Sequence, residues 1–143
     1  MTSEFELTVT SKMENLAVVY DFVTSVAGEF SLSDDETFAL QMAVDEACAN
    51  VIEHAYDRTA NGKMSIRCRL IDDEIVVIIR DHGRPFNPQC VPRPDVTAPL
   101  DKRCDGGLGL YLMEKLMDSI AWEFDPGEGN TLTMRKRRGK PAV

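Results

Sequence analysis

The 143 residues suit a single domain, and 43% hydrophobic with 28% charged residues is typical of a folded chain rather than a disordered one. A net charge of −8 argues against direct nucleic-acid binding, which needs clustered Lys and Arg. No apolar stretch is long enough to cross a bilayer and residues 1–10 lack a signal-peptide pattern, so we expect a cytoplasmic protein that does not bind membranes.

The chain begins with the pattern of one strand and one helix. Apolar and polar residues alternate over residues 5–9, which predicts a β-strand. Ser11 and Glu14 have the spacing of a capping box, and apolar residues then recur three and four apart as far as Phe30. We therefore expect a helix that is capped by Ser11 and buries one face.

A second helix and a hairpin follow. Ser33 and Glu36 have capping-box spacing again, and the helical periodicity continues to Ala55. Two strand-like runs, residues 64–70 and 74–80, are separated by a short polar turn. Such a pair of runs predicts a β-hairpin.

Residues 84–105 lack periodicity and hold most of the prolines, which is typical of a lid or a binding loop. A third helix over residues 108–118 and two strands, residues 120–124 and 130–134, complete the order β-α-α-β-β-loop-α-β-β. This order predicts an α+β two-layer sandwich in which a mixed, mostly antiparallel sheet carries the helices on one face.

Glu46 and Asn50 interrupt an otherwise small and apolar part of the second helix. They are four residues apart and therefore lie on one helix face. This pair can be an ordinary solvent-facing stripe. It can also be functional, since a side-chain amide oxygen can bind Mg²⁺ and a neighbouring carboxylate can orient or deprotonate a nucleophile.

Asp81 ends the second strand of the hairpin, two residues before Gly83. An ionised Asp only accepts hydrogen bonds, which suits the exocyclic amino group of a base, and glycine lets a flat ring approach the backbone. Asp beside Gly is also common in turns that have no function. The last strand begins with Gly129-Asn130-Thr131, which places a small hydroxyl where it can join Asp81.

Residues 106–110, Gly-Gly-Leu-Gly-Leu, precede the third helix. Unpaired N–H groups and the helix dipole attract phosphate at such a position, although glycines before a helix also serve as a hinge. The sequence is neither the dinucleotide-binding G-x-G-x-x-G pattern nor a P-loop. Lys102 and Arg103, just upstream, can neutralise a terminal phosphate or remain exposed charges.

The remaining reactive side chains fit structural roles. The cysteines have no C-x-x-C spacing, which predicts reduced thiols rather than a zinc site or disulfides; they are Cys48, Cys68, Cys90 and Cys104. We interpret His54 and His82 as histidines of a helix surface and of a turn. We expect residues 1–136 to form the domain and residues 137–143 a solvated basic tail.

Each motif is weak alone, but their order along the chain resembles the GHKL ATPases, which have the Bergerat fold with an ATP lid. Within that class the chain is most similar to the bacterial anti-sigma factor serine kinases, in the sequences around Glu46 and Asn50, around Asp81 and Gly83, and over residues 106–118. Pro85 stands where many of these ATPases have a second glycine, and the kinase subgroup tolerates Pro-Phe at this place.

The resemblance implies a role for each motif. Asn50 would bind Mg²⁺, Glu46 would be the general base toward a substrate serine, and Asp81 would bind the adenine amino group of ATP. The other nucleotide contacts would come from Gly83, which leaves room for the base, Thr131, which assists at the adenine, and Gly107, Leu108, Gly109 and Leu110, which bind the phosphates.

The resemblance also implies a function in partner switching. The chain would be an ATP-dependent serine kinase and anti-sigma factor that phosphorylates an anti-anti-sigma factor of the STAS fold, sequesters a sigma factor and forms a homodimer. The alternative is a nucleotide-gated protein-binding regulator with little or no kinase activity. The presence of Glu46 favours the kinase.

Overall fold

The computed structural model describes residues 3–56, 62–85 and 107–139. The strands are β1 (Ser3–Thr10), β2 (Lys63–Ile71), β3 (Glu74–Asp81), β4 (Ser119–Asp125) and β5 (Gly129–Arg137). The helices are α1 (Leu16–Glu29), α2 (Asp34–Asn50) and α3 (Gly107–Leu116), with a 3₁₀ turn at Met13–Asn15 and a π-helical turn at Val51–Ala55. The predicted order of elements is confirmed, and residues 86–105 of the predicted lid lie outside the described residues.

The five strands form one sheet in the order β1-β2-β3-β5-β4, and each pairing among the described residues is antiparallel. At one end of the sheet Met64 pairs with Asp81, and Asp81 pairs on its other side with Asn130. Three neighbouring strands therefore begin or end together at Asp81.

The helices cover one face of this sheet. Alternate residues of the central strands, such as Ile66, Ile79 and Leu132, are at most 3% exposed and form one core with apolar residues of all three helices. The opposite face carries ion pairs, including Arg67 with Glu4 and Glu6. This arrangement confirms the predicted two-layer α+β sandwich.

Local signals specify the start of α2 and the hairpin correctly. Ser33 and Glu36 form the predicted capping box, with Glu36 N donating to Ser33 Oγ at 3.1 Å and Ser33 N donating to Glu36 Oε1 at 2.8 Å. The β2–β3 turn places Asp72 and Asp73 at φ of 50° and 67°. Two consecutive residues in the left-handed region are typical of the tight hairpin turn that matches strand twist.

The expected cap at Ser11 is wrong. The helix α1 begins five residues later, after Asn15, and no side chain caps it. The Ser11 hydroxyl instead accepts a hydrogen bond from Gly62 N at 3.1 Å, which fastens the end of β1 to the start of β2. The hydroxyl that the local pattern predicts as a helix cap therefore binds Gly62, which is distant in sequence.

The end of β5 is held against the domain. Arg138 donates to the carbonyl oxygen of Phe30 at 2.7 Å and forms an ion pair with Asp73. Residues 137–139 of the expected tail are thus in contact with the folded domain, and residues 140–143 lie outside the described residues. Among the described helices, none combines the length and the apolar character that crossing a bilayer demands.

Candidate functional site

The strongest polar cluster of the interior lies where β3 and β5 meet. Asp81 and Asn130 are paired across these strands and are only 4% and 7% exposed. Asp81 Oδ1 accepts hydrogen bonds from Asn130 Nδ2 at 2.8 Å and from Gly83 N at 2.9 Å. Burial raises the pKa of Asp81, while the hydrogen bonds from Asn130 and Gly83 and the proximity of His82 act in the opposite direction.

Within the described residues, one oxygen of the Asp81 carboxylate receives no hydrogen bond from the protein. Both donors there go to Asp81 Oδ1, which leaves Oδ2 for a ligand. Asn130 Oδ1 is fully buried and has no partner in the described part of the chain, while the amide nitrogen of Asn130 donates to Asp81 Oδ1 and to Arg84 O. A carboxylate oxygen with no donor suits a ligand that carries an amino group.

The loop after β3 is bound to the π-helical turn that follows α2. Arg84 N donates to Ala55 O at 2.8 Å, and the Arg84 guanidinium donates to His54 O at 2.9 and 3.2 Å. A Cβ on Gly83 would overlap the backbone of Ala55, so only glycine permits this approach. The π-helical turn that makes these contacts follows Asn50 directly.

The other end of the site joins α2 to α3. A Cβ on Gly109 would overlap Oε2 of Glu46, so the missing side chain lets the carboxylate lie against the first turn of α3. Burial raises the pKa of Glu46, and the negative charges of Asp45 and Glu53 raise it further. A raised pKa makes this carboxylate a better proton acceptor than a solvated Glu.

The first turn of α3 has features that favour an anion. It begins at Gly107 and contains no acidic residue, so its N–H groups and the positive end of the helix dipole are not neutralised from within the turn. Leu110 is 2% exposed and belongs to the core, so any contact with a ligand comes from its backbone. The side chain of Leu108 lies outside the described residues, as does Gly106.

The structure does not bring Thr131 to Asp81. Thr131 pairs with Arg80, and side chains alternate along a strand, so the Thr131 hydroxyl lies on the outer face of the sheet. It borders a depression there together with Arg80 and Glu123. The expectation for Thr131 is therefore corrected to its neighbour Asn130, which the apolar residues two and four positions later, Leu132 and Met134, place on the inner face.

One further residue of the site was not predicted from the sequence. Tyr56 follows the π-helical turn, and its hydroxyl contacts the backbone of both Lys63 and His82. Its partners are 7 and 26 residues away, so no local pattern indicates the contact.

The histidines and cysteines do not form a metal centre within the described residues. No group of three or more His, Cys, Asp or Glu there could hold a metal ion. His54 lies on the π-helical turn and His82 in the exposed turn after β3, as interpreted from the sequence. Cys48 and Cys68 are buried free thiols, and burial raises the pKa of Cys68 to about 12. Cys90 and Cys104 lie outside the described residues.

Comparisons with known proteins agree with this geometry. A family model described as histidine kinase-like ATPase domain matches residues 9–136. The serine-protein kinase RsbW of Bacillus subtilis (strain 168) is 35% identical over 135 residues, which cover 92% of this chain and 83% of that protein. The serine-protein kinase RsbW of Halalkalibacterium halodurans is 33% identical over 126 residues, which cover 85% and 76%.

Solved structures share the fold at low sequence identity. The RsbU and RsbW domains of Rv1364c from Mycobacterium tuberculosis superpose with a TM-score of 0.69 at 17% identity, and the match covers 98% of this chain but 34% of that one. The catalytic domain of the histidine kinase ThkA gives a TM-score of 0.50 at 17% identity and covers 96% and 97% of the two chains. These similarities concern the fold alone, and they confirm the expected Bergerat class.

Proposed function

This chain belongs to the family of histidine kinase-like ATPase domains, and we propose that it phosphorylates an anti-anti-sigma factor of the STAS fold and sequesters a sigma factor. It is an ATP-dependent protein serine kinase, as its similarity to serine-protein kinases over nearly the whole chain indicates. The protein partners and the role of each site residue are the proposal. The observation that carries it is the placement of Glu46 against the first turn of α3.

The phosphates of ATP lie at the start of α3 in this proposal. Backbone N–H groups from Gly107 to Leu110 bind them, and the helix dipole adds to the attraction. Because Gly109 touches Glu46, the γ-phosphate and the Glu46 carboxylate are then neighbours. A base next to the transferred group is what phosphoryl transfer to a hydroxyl requires.

The adenine lies at the other end, against Asp81 and Asn130. Asp81 Oδ2 accepts a hydrogen bond from the exocyclic amino group, and Asn130 orients the carboxylate by donating to Oδ1. Gly83 has no side chain, which leaves room for the ring to approach the backbone there. Guanine presents an oxygen in place of the amino group, so an acceptor at this position also discriminates against it.

Asn50 is the proposed Mg²⁺ ligand. Its amide oxygen is a hard donor on the face of α2 that also carries Glu46, one turn earlier. The described residues offer no cluster of several charged ligands. One protein oxygen suits Mg²⁺, which commonly keeps waters and takes its other ligands from substrate phosphates. When bound, Mg²⁺ would neutralise charge that develops on those phosphates.

In the proposed reaction the Oγ of the substrate serine forms a bond to the γ-phosphorus. The bond from that phosphorus to the bridging oxygen of ADP breaks, and ADP leaves with the electron pair. The serine proton passes to the carboxylate of Glu46. The protein contributes mainly by positioning and electrostatics, as is usual for this kind of transfer.

The direct test is phosphoryl transfer. The purified chain is incubated with labelled Mg-ATP and a STAS-type protein, and phosphoserine on that protein is measured, with size measured in parallel for the expected homodimer. ATP binding without transfer would favour the nucleotide-gated regulator. In a thermal titration, ATP at about a hundred times its Kd should add roughly 2.7 kcal/mol of stability. No stabilisation at millimolar ATP would exclude both functions.

A further inference from the structure

The hydroxyl of Tyr56 links two strands at the point where their pairing ends. It donates a hydrogen bond to Lys63 O at 2.8 Å and accepts one from His82 N at 2.7 Å. Lys63 begins β2, and His82 follows β3 directly, one residue beyond the Met64–Asp81 pair. The hydroxyl therefore takes the place of the next hydrogen-bonded rung between β2 and β3.

This bridge controls where the chain goes after Asp81. A hydroxyl inserted between two strands holds them further apart than a direct backbone bond does. The residues after His82 turn instead toward the π-helical turn after α2, where Arg84 N donates to Ala55 O at 2.8 Å. Tyr56 and Ala55 are consecutive, so one short segment holds the loop after β3 from two sides.

The tyrosine is itself held in place. Its ring occupies the space that a Cβ on Gly62 would need, so Gly62 forms the surface on which the ring packs. Gly62 in turn exchanges two hydrogen bonds with Ser11, from Ser11 N to Gly62 O at 2.9 Å and from Gly62 N to Ser11 Oγ at 3.1 Å. The ring that carries the hydroxyl is thus held by the residues that directly follow β1 and precede β2.

We infer that Tyr56 is a positioning residue for adenine recognition: its hydroxyl fixes the backbone of His82 and thereby the direction of the Asp81 carboxylate. Asp81 Oδ1 accepts from Gly83 N, on the far side of His82, so a shift of His82 moves the donor that orients the carboxylate. This inference depends on the proposed function in one respect, that Asp81 binds the adenine amino group.

The test compares two nucleotides in the Tyr56→Phe variant. This change removes the hydroxyl and retains the ring against Gly62. The affinities for ATP and for purine riboside triphosphate, which lacks the exocyclic amino group, are measured by calorimetry. We expect ATP to bind about three- to tenfold more weakly, as the loss of one hydrogen bond implies, and the analogue to bind as before. The preference for ATP should therefore fall.

Tyr20→Phe is the matched control, since Tyr20 is 49% exposed on α1, and it should leave both affinities unchanged. An unchanged or increased preference for ATP in Tyr56→Phe would overturn the inference. So would a variant that no longer folds, because the hydroxyl would then support the whole domain. If the unsubstituted protein itself shows no preference for ATP, the assignment of Asp81 fails rather than that of Tyr56.

Discussion

The carboxylate of Glu46 on α2 lies in the space that a side chain at Gly109 on α3 would fill. The two helices therefore touch where a proposed base meets a proposed phosphate-binding turn. A substitution at Gly109 acts directly on this contact. Because the atom in the way is the end of a flexible side chain, Glu46 moves and the helix does not.

Gly109→Ala is predicted to reduce phosphoryl transfer about a hundredfold, since a displacement of about 1 Å can cost that much. The fold should be retained, because alanine is favourable in a helix. The measurement is the single-turnover rate of transfer to the partner protein. Gly28→Ala is the matched control, because a Cβ on Gly28 of α1 meets nothing within 4 Å. Equal rates for the two variants would contradict the role of this contact.

Asp81→Asn is predicted to weaken ATP binding by about ten- to a hundredfold. Asparagine can still accept the bonds from Asn130 and Gly83, but it presents an amide where Oδ2 stood, and a hydrogen bond to a charged group is worth about 1.5–3 kcal/mol. Binding is measured by calorimetry. Asp72→Asn, in the turn at the other end of β3, is the control. Unchanged affinity would remove Asp81 from the adenine site.

Glu46→Gln is predicted to abolish transfer and to stabilise the fold at neutral pH. The folded protein raises the pKa of Glu46 above its ordinary value of 4.5, so the folded state binds this proton more tightly than the unfolded state. Stability is therefore lost as pH rises from below 4.5 through the raised pKa. Thermal unfolding at several pH values should show the advantage of the variant at pH 7 and its disappearance in acid.

Glu29→Gln, at the exposed end of α1, should change neither transfer nor stability. If Glu46→Gln transfers phosphate at the rate of the unsubstituted protein, Glu46 is not the base. If its advantage in stability grows as pH falls, the direction of the pKa shift is wrong.

Asp45→Asn is predicted to move the acidic limb of the pH–rate profile to lower pH. After burial, the charge of Asp45 is the next cause of the raised pKa of Glu46, so its removal lowers that pKa. The base then remains ionised in more acidic solution. The profile of transfer rate against pH is compared with that of Asp21→Asn, an exposed residue of α1. If the acidic limb does not move, the charge of Asp45 does not influence the pKa of the base.

Thr131→Val is predicted to leave ATP affinity within about twofold, since its hydroxyl lies on the outer face of the sheet. A strong effect of this substitution on ATP affinity would restore Thr131 as a residue of the adenine site.

Asn130→Ala should weaken ATP binding, because it removes a donor to Asp81 and a buried acceptor. The hydrogen bond from Asn130 lowers the pKa of Asp81, so its loss raises that pKa. As the solution is acidified, the variant should therefore lose ATP binding at a higher pH than the unsubstituted protein does.

These residues show what a sequence can specify. The cap at Ser33 and the turn at Asp72 and Asp73 are local, so nearby residues predict them. The contacts of Ser11 and Tyr56 cannot be predicted locally, because their partners lie far along the chain. The hydroxyl of Thr131 suggests a role beside Asp81, but strand alternation relative to Leu132 places its neighbour Asn130 on the inner face. The order of the motifs predicts the site, and the pairing of the strands shows which side chains share a face.

The position of β5 has a consequence for synthesis of the protein. The last of the five strands to be synthesised, β5, is not at an edge of the sheet but between β3 and β4, and it brings Asn130 to Asp81. A nascent chain on the ribosome therefore has an open edge on β3, and lacks Asn130 of the proposed adenine site, until β5 emerges. Until then it cannot hold nucleotide in the proposed way, and its exposed strand edge is open to aggregation or to capture by chaperones.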